Sequence, residues 1–298
     1  MSATDGFSDF FYAAKDGLQL HARLYGEATV GRLPVVCLAG LTRNARDFHE
    51  LALSLSRDAD SPRRVIAFDY RGRGGSAWDA DWRKYDAKIE TQDVLDGLAA
   101  LGVGRAAFIG TSRGGIITHI VAAMRPGLVA AAVLNDVGPV IEVAGLVQIR
   151  TYLDAMPKPA TFAEAADGMR GALGASFPAL EAADWERVVR AIYRDEDGTP
   201  VADYDPALLN TLAGLDPTKP LPELWSLFAA LEKIPVLAIR GEHSTLLSAA
   251  ALAEMERRHP ALRAVTVAGQ GHAPLLETGA LPATIKAFLA EAERSVAG

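Results

Sequence analysis

The chain has 298 residues, half of them hydrophobic, and 30 basic against 37 acidic residues give it a formal net charge of −7. A chain of this length and composition can bury one large core, either as a single domain or as a domain with an insertion. No basic run or stripe stands out, which argues against a nucleic-acid partner. The single cysteine, Cys37, excludes an intrachain disulfide and fits a reducing, cytoplasmic location.

The sequence also lacks the segments that would direct a protein into or across a membrane. The N-terminal residues have no basic region followed by an apolar region, so we predict no secretory signal. No stretch is long enough and free enough of charge to span a bilayer, and no His/Cys cluster has metal-ligand spacing. We expect a cytoplasmic protein that binds a small-molecule substrate without a metal, a cofactor, nucleic acid or a membrane. Its oligomeric state cannot be predicted from these patterns.

The predicted elements begin with a hairpin and continue as a regular alternation of strands and helices. The hairpin turns at Lys15-Asp16-Gly17. After it, short apolar segments predict strands, and apolar residues at helical spacing predict helices. Strands are predicted at 34–38, 64–68, 106–109 and 129–134, and helices at 46–57, 89–101 and 114–124. This alternation is typical of a parallel sheet with helices on both faces, which binds ligands at the carboxyl ends of its strands.

The alternation stops between residues 139 and 230, in a segment that is rich in Ala and Pro and has a mostly helical pattern. It then resumes with a strand at 236–239, a helix at 249–258, a strand at 264–267 and a helix at 281–292. Because the sheet pattern returns, a separate downstream domain does not fit. We therefore predict a core formed by residues 1–138 and 231–298, with a helical cap at 139–230 inserted into it.

A predicted strand and a predicted helix flank Gly110-Thr111-Ser112-Arg113-Gly114, which has the G-x-S-x-G pattern of a nucleophile elbow. The pattern alone often occurs by chance, and the alternative is an ordinary structural turn. Here it lies between a predicted strand and a predicted helix, which is the context that a nucleophile elbow requires. The turn lifts the Ser112 hydroxyl out of the strand end. The start of the helix directs its positive end towards developing negative charge. We predict that Ser112 is a nucleophile.

A serine nucleophile needs a base, and His272 has the best position among the six histidines. It follows a predicted strand on a glycine-flanked loop, whereas the other five fit strands, helices or a turn. A loop histidine that caps the last helix is the alternative. An oxyanion needs two N–H donors. We assign them to Arg113, directly after the nucleophile, and to Leu41 in the loop after the strand at 34–38, for which an ordinary turn is the alternative.

These segments together resemble the α/β-hydrolase superfamily. The elbow, the G-H-A-P stretch around His272 and the run DYRGRGGS at 69–76 match motifs that these enzymes carry in the same order. The loop at 40–44 resembles their oxyanion loop, although Ala39 stands where a histidine is often found. The resemblance implies an α/β-hydrolase fold, a mostly parallel, doubly wound sheet with an inserted helical cap. The motifs are most similar to those of capped esterases, enol-lactonases and carbon–carbon bond hydrolases.

One position departs from the family pattern. In many relatives the loop after the penultimate strand reads R-G-x-x-S-D-L-L-S, and its aspartate orients the histidine. Residues 240–248 read RGEHSTLLS, so Thr245 stands in place of that aspartate. Threonine can accept a hydrogen bond from a histidine, but it cannot stabilise an imidazolium with a negative charge.

Three explanations are open for the missing aspartate. Asp136, directly after the strand at 129–134, could supply the acid, as in family members such as the haloalkane dehalogenases that place it after that strand. The longer side chain of Glu242 could reach the histidine instead. Alternatively, no acid is present, and the chain is a weakened or engineered enzyme or a binding protein. We take Asp136 as the predicted acid.

These residues predict a cofactor-free serine hydrolase that cleaves small carboxylic esters or lactones through an acyl-enzyme at Ser112. Carbon–carbon bond hydrolysis or perhydrolysis by the same triad, and ligand binding without catalysis, are the alternatives. The predicted substrate contacts are Arg43, whose guanidinium could hold a carboxylate, and the cap residues Trp185 and Trp225, which could line an apolar pocket. The Arg113 side chain could also reach the substrate, or it could form a salt bridge.

Overall fold

The structure is a computed structural model that describes residues 5–155 and 158–297. In chain order its strands are β1 (Ser8–Ala13), β2 (Gln19–Tyr25), β3 (Val35–Leu38), β4 (Val65–Asp69), β5 (Ala106–Thr111), β6 (Val129–Asn135), β7 (Tyr193–Glu196), β8 (Thr199–Ala202), β9 (Val236–Gly241) and β10 (Leu262–Val267). Its α-helices are α1 (His49–Ser56), α2 (Ala87–Ala100), α3 (Arg113–Met124), α4 (Val143–Asp154), α5 (Phe162–Leu173), α6 (Ala182–Ile192), α7 (Trp225–Phe228), α8 (Ala249–Arg258) and α9 (Leu281–Ala297). In this part of the chain, no helix has the length and apolar character needed to cross a membrane.

The main sheet of the described residues has eight strands in the order β1-β2-β4-β3-β5-β6-β9-β10. Neighbouring strands from β4 to β10 in this order are parallel. At the other edge, β2 runs antiparallel to both β1 and β4. The predicted mostly parallel, doubly wound sheet is therefore confirmed. The loops that follow β3, β5, β6, β9 and β10 all leave the sheet at the same edge, where ligand sites of such folds lie.

Apolar residues cover both faces of the sheet. Strands β3, β4 and β6 are buried along their whole length, as expected for strands between two layers of helices. Helices α2, α3 and α8 pack on one face through residues such as Leu98, Val121 and Leu252. Helices α1 and α9 pack on the other through Leu51 and Phe288. Each such buried side chain contributes roughly 1.5–3 kcal/mol, so the two layers hold the sheet edge in place.

The observed elements differ from the predicted ones mainly at their ends. Helix α1 is preceded by a 3-10 turn, Ala45–Phe48, because the Asn44 side chain accepts a hydrogen bond from the Arg46 N–H at 3.0 Å. This bond caps the turn and changes the start of the helix. The last helix continues to Ala297 instead of ending at 292.

The segment between β6 and β9 forms a layer over the carboxyl edge of the sheet. It contains α4 to α7, as its helical pattern predicts, and also the antiparallel β7–β8 hairpin, which was not predicted. It has a small core of its own that includes Trp185 and Val189. Backbone hydrogen bonds such as that from the Glu142 N–H to the Leu246 carbonyl, at 3.0 Å, tie it to the sheet loops. The exact limits of a cap at 139–230 stay a prediction.

Candidate active site

The predicted elbow lies at the centre of the sheet, between β5 and α3. Ser112 has φ 51° and ψ −112°, a conformation that residues with side chains rarely adopt and that costs about 1–3 kcal/mol. The turn is possible because Gly110 and Gly114 have no side chains. A Cβ on Gly110 would lie 2.5 Å from the Gly114 carbonyl oxygen, and one on Gly114 would overlap the Leu38 carbonyl. The Ser112 N–H donates to the Asn135 carbonyl at 3.0 Å, which fixes the turn to β6.

His272 lies on the loop between β10 and α9, and its Nε2 is 3.0 Å from the Ser112 hydroxyl oxygen. The loop is held against the end of β6, because the Asn135 side chain donates to the Pro274 carbonyl at 3.0 Å. The His272 side chain is 13% exposed, so it is largely shielded from water. The imidazole is therefore placed where it can accept the proton of the serine.

Asp136 follows β6 directly, and its side chain is fully buried. Its Oδ2 is 2.7 Å from His272 Nδ1. Two further donors hold the carboxylate: the Gly241 N–H donates to Oδ1 at 2.8 Å and the Ser244 hydroxyl donates to Oδ2 at 2.5 Å. The carboxylate therefore has a fixed orientation towards the imidazole.

The neighbouring positions of Ser112 and Asp136 follow from the register of the sheet. Strands β5 and β6 pair in parallel with Thr111 opposite Asn135, so the next residue of each strand emerges at the same edge. Asp136 has φ 54°, a left-handed conformation that aspartate adopts more readily than most residues. Its N–H donates to the Ile239 carbonyl at 2.7 Å. The chain thus turns sharply after β6, and the turn directs the carboxylate towards the histidine.

The other two positions considered for the acid have different partners. Thr245 is exposed, and its hydroxyl donates to the Gln148 side chain of α4 at 2.8 Å. Glu242 is exposed as well, and its Oε2 accepts from the Gly269 N–H at 2.7 Å. The structure therefore places Asp136, and neither of these residues, beside the imidazole.

Leu41 and Arg113, the predicted N–H donors, both lie in segments close to the nucleophile. Leu41 is in the wall of the cavity at Ser112, and its loop passes close by, since a Cβ on Gly40 would be 4.0 Å from the Ser112 Cβ. Arg113 is the first residue of α3, so its N–H has no acceptor within the helix. These positions fit the two donors that an oxyanion requires.

A cavity of about 580 Å³ opens between this edge of the sheet and the segment that joins β6 to β9, with Ser112 and His272 in its wall. This volume lies in the range of small-molecule pockets. Apolar side chains of α4, α5 and α6 line part of it, among them Ile149, Leu153, Met169, Trp185 and Val188. The predicted position of Trp185 at the pocket therefore agrees with the structure.

Charged side chains line another part of the cavity. The Arg43 guanidinium forms a bidentate salt bridge with Asp47, with Nε 2.8 Å from Oδ2 and Nη2 2.6 Å from Oδ1. Nη1 does not take part in these two bonds. Glu277 faces the same space. Burial raises the pKa of Glu277 to about 7, the Asp47 carboxylate adds to the rise, and the guanidinium groups of Arg187 and Arg43 oppose it. Near neutral pH the cavity thus holds a carboxyl group that exchanges its proton.

The predictions for two side chains need correction. Trp225 does not line the cavity: α7 places its ring 5.8 Å from that of Phe228, with the Arg258 guanidinium 3.8 Å from its centre. The Trp225 ring thus stacks against the Arg258 guanidinium, on the face of the sheet that α3 and α8 cover. The predicted substrate contact is therefore wrong. The Arg113 side chain donates from Nε to Glu90 at 2.7 Å and thus forms the salt bridge that was the alternative.

Sequence reasoning missed two groups at the site. Ser244, which holds the Asp136 carboxylate, occupies the serine position of the R-G-x-x-S-D pattern, so a signal for it was available. Glu277 lies on the loop that follows His272, and no local pattern marks it. Its environment depends on Arg43 and other residues that are distant in the sequence.

Known proteins resemble this chain over most of its length. The model of the alpha/beta hydrolase fold family matches residues 34–278. A 3-hydroxybutyrate-oligomer hydrolase from Cupriavidus necator is 34% identical over 252 residues, which cover 80% of this chain and 82% of that protein. A 2-(acetamidomethylene)succinate hydrolase from Mesorhizobium japonicum is 31% identical over 235 residues, which cover 78% of this chain and 79% of that protein.

Solved structures agree with these sequence matches. The crystal structure of an alpha/beta hydrolase from Novosphingobium aromaticivorans is 36% identical and superimposes with a TM-score of 0.88 over 97% of this chain and 99% of that chain. The crystal structure of an E-2-(acetamidomethylene)succinate hydrolase is 26% identical and has a TM-score of 0.78 over 95% of this chain and 99% of that chain. The chain therefore belongs to the α/β-hydrolase fold family and is a hydrolase.

Proposed function

We propose that the protein is a cofactor-free serine hydrolase that cleaves small carboxylic esters or lactones through an acyl-enzyme at Ser112. The observation that carries this proposal is the chain of Ser112, His272 and Asp136, with 3.0 Å and 2.7 Å between successive polar atoms. A serine hydroxyl is a weak nucleophile at neutral pH, and an oriented imidazole activates it. Ligand binding without catalysis was favoured only by the lack of an acid at Thr245, and Asp136 removes that reason.

In the first step, the Ser112 oxygen attacks the carbonyl carbon of the ester while its proton passes to His272 Nε2. The N–H groups of Leu41 and Arg113 donate to the oxygen that becomes negative in the tetrahedral intermediate. The imidazolium then gives its proton to the departing alkoxide, the C–O bond breaks, and the acyl-enzyme is left. Water that loses a proton to His272 then attacks the acyl carbon. The bond to the Ser112 oxygen breaks, His272 returns the proton to that oxygen, and the carboxylic acid is released.

Asp136 has two roles in this scheme. It accepts the Nδ1–H of His272, so the other ring nitrogen faces the serine as an acceptor. It also lies 2.7 Å from the ring when the ring becomes positive, in a buried place where water screens the attraction little. An amide in place of the corresponding acid of a serine protease lowers kcat by about 10⁴. This contact therefore accounts for a large part of the expected rate.

For the substrate, we propose an ester of a short hydroxy acid that has a free carboxylate. The names of two relatives support this class, since 3-hydroxybutyrate oligomers and a succinate are carboxylic acids. The cavity has an apolar wall formed by the cap. It is also lined by two cationic side chains, Arg43 and Arg187. An apolar wall suits a short acyl chain, and a guanidinium suits a carboxylate.

The first test is labelling with a fluorophosphonate, followed by peptide mass spectrometry. The probe reports an activated serine without requiring the natural substrate. We expect the label on Ser112 at pH 8. A second assay then tests the proposed substrate class. It measures hydrolysis of the linear dimer of 3-hydroxybutyrate as release of the monomer.

Two variants make the result specific. Ser112→Ala removes the nucleophile, and we expect neither label nor turnover. Ser176→Ala serves as the matched control, because Ser176 lines the same cavity but is not part of the hydrogen-bonded chain. A folded wild-type protein that takes no label, or a label that persists in Ser112→Ala, would contradict the proposed mechanism.

A further inference from the structure

The two residues proposed to bind the oxyanion belong to different segments, and one buried ion network connects them. Leu41 lies in the loop after β3, whereas Arg113 follows the nucleophile as the first residue of α3. The side chains of Arg73 and Glu90 connect these segments, and both are fully buried. Neither side chain has a step in the proposed reaction.

The first connection runs from Arg73 to Leu41. Arg73 lies in the DYRGRGGS run after β4, and its Nε donates to the Leu41 carbonyl at 2.8 Å. Its Nη1 donates to the Arg71 carbonyl at 2.7 Å, which holds the guanidinium against its own loop. The bond to the Leu41 carbonyl fixes the peptide plane that follows Leu41 and so restricts the backbone rotations at Leu41 that would redirect its N–H.

The second connection runs from Glu90, on α2, to both arginines. Glu90 Oε1 lies 2.7 Å from Arg73 Nη1, and Oε2 accepts from Arg113 Nε at 2.7 Å. One carboxylate thus joins the guanidinium that holds Leu41 to the side chain of the residue that carries the other N–H. Water does not reach this carboxylate, so the attractions are weakly screened.

We propose that Arg73 and Glu90 are positioning residues that set the distance and direction between the Leu41 and Arg113 N–H groups. This inference rests on the proposed function, since it assigns a role to an oxyanion hole. Buried ion pairs contribute little net stability compared with apolar residues of the same volume, whereas misplaced oxyanion donors reduce the rate steeply. The network is therefore expected to matter more for kcat than for folding.

The chain offers a matched control in the same two segments. Arg71, from the loop after β4, forms a fork with Asp93 of α2, with Nε–Oδ2 and Nη2–Oδ1 distances of 2.7 Å each. The Arg71 and Asp93 side chains are buried like those of the network. Their hydrogen bonds in the described structure do not involve Leu41 or Arg113. A variant of Asp93 thus breaks a buried pair without touching the oxyanion loops.

The experiment compares Glu90→Gln with Asp93→Asn by three measurements. These are Tm, kcat and KM on p-nitrophenyl butyrate, and Ki of an alkyl trifluoromethyl ketone, which forms a hemiketal anion with an active serine. We expect similar losses of Tm in both. Glu90→Gln should lower kcat by about 10–100-fold, which is no more than the loss caused by removing one oxyanion donor. KM should change little, Ki should rise by the same factor, and Asp93→Asn should stay within about threefold of wild type.

The outcome separates this inference from the proposed function. Equal kcat losses in Glu90→Gln and Asp93→Asn, or an unchanged kcat in Glu90→Gln, would overturn the positioning role while wild type and Ser112→Ala still differ. If wild type does no better than Ser112→Ala, the proposed function fails first.

A second variant covers the case in which Glu90→Gln does not fold. Arg113→Met removes the contact with Glu90 and the hydrogen bond from Nη2 to the Tyr85 carbonyl at 3.2 Å, but leaves the backbone N–H, and the Arg113 side chain is 18% exposed. We expect kcat to fall by about 3–10-fold at constant KM. A higher KM with unchanged kcat would mean that the side chain binds substrate, which would contradict the positioning role.

Discussion

Two loops at the carboxyl edge of the sheet differ in what they bring to the histidine. The segment formed by the end of β9 and the loop after it, residues 240–248, has the arginine, glycine and serine of the family pattern but carries Thr245 at the position of the aspartate. The loop after β6 brings a carboxylate instead, and Asp136 lies 2.7 Å from His272 Nδ1. The first loop still takes part, because its Ser244 hydroxyl donates to that carboxylate at 2.5 Å.

The difference shows that the arrangement depends on where strands end and not on which strand carries the acid. Strands β6 and β9 are parallel neighbours, so the loops after them leave the sheet side by side. A carboxylate on either loop can therefore approach the same imidazole. What the loop after β9 has lost as an acid it provides as hydrogen-bond donors, the Gly241 N–H and the Ser244 hydroxyl.

The largest effect should come from removing the acid of the β6 loop. Asp136→Asn retains the shape but loses the charge, and we expect kcat to fall by about 10³–10⁴-fold. Steady-state kinetics on p-nitrophenyl butyrate measures it, with Asp93→Asn as the control because Asp93 is also buried and ion-paired. A kcat within tenfold of wild type would mean that another group serves the histidine.

A smaller effect should follow from the supporting donor. Ser244→Ala removes the hydroxyl bonded to Asp136, and it also removes the acceptor of the Leu246 and Leu247 N–H groups. We expect about a tenfold lower kcat and about 1–3 kcal/mol lower free energy of unfolding, measured by kinetics and urea denaturation.

Ser248→Ala is the matched change in the same loop. Ser248 caps α8 by accepting from the Ala251 N–H at 3.2 Å, and it does not contact Asp136. We expect this variant to lose about 1 kcal/mol of stability while retaining its kcat. Equal kcat values in the two serine variants would show that the donor to the carboxylate has no role in the rate.

The comparison of loops also shows what the sequence can predict. The alternation of apolar strands and helices predicts the sheet, and the glycines around Ser112 predict the elbow, because both depend on local patterns. Asp136 could be proposed because it directly follows a predicted strand. The family pattern marks Ser244, and a salt bridge of Arg113 was an alternative, but their partners Asp136 and Glu90 could not be predicted, since each pairing depends on how distant segments pack. Trp225 failed for the same reason, as composition does not tell which face of a cap helix meets the cavity.

Glu277 lies in the wall of the same cavity as His272 and shows how burial changes the protonation of a carboxyl group. The pKa of Glu277 is raised from 4.5 to about 7, mainly by burial. Between these values the native protein retains a proton that the unfolded chain has lost, so stability falls as pH rises from about 5 to 8. Glu277→Gln should remove this dependence of stability on pH. At pH 8 its free energy of unfolding should exceed that of wild type by on the order of 1–3 kcal/mol.

Urea denaturation at several pH values measures the slope. The matched control is Glu223→Gln, because Glu223 is exposed and the substitution is the same. Identical slopes in wild type and Glu277→Gln would mean that Glu277 loses its proton in the folded protein as it does in the unfolded chain.

The smallest effect is expected where the family pattern suggests the largest. Thr245→Asp restores the aspartate of the β9 loop, yet the Thr245 side chain faces Gln148, and His272 Nδ1 already has Asp136 as its partner. We therefore expect kcat within about threefold of wild type, in line with a change at an exposed position, and the same from Thr245→Asn.

The double variant Asp136→Asn with Thr245→Asp makes the test sharper, because it leaves the imidazole without its present acid. If the loop keeps its observed conformation, the double variant stays as slow as Asp136→Asn. A recovery of tenfold or more would show that the loop can turn its side chain to the histidine, and that the two neighbouring strand ends are interchangeable sources of the acid.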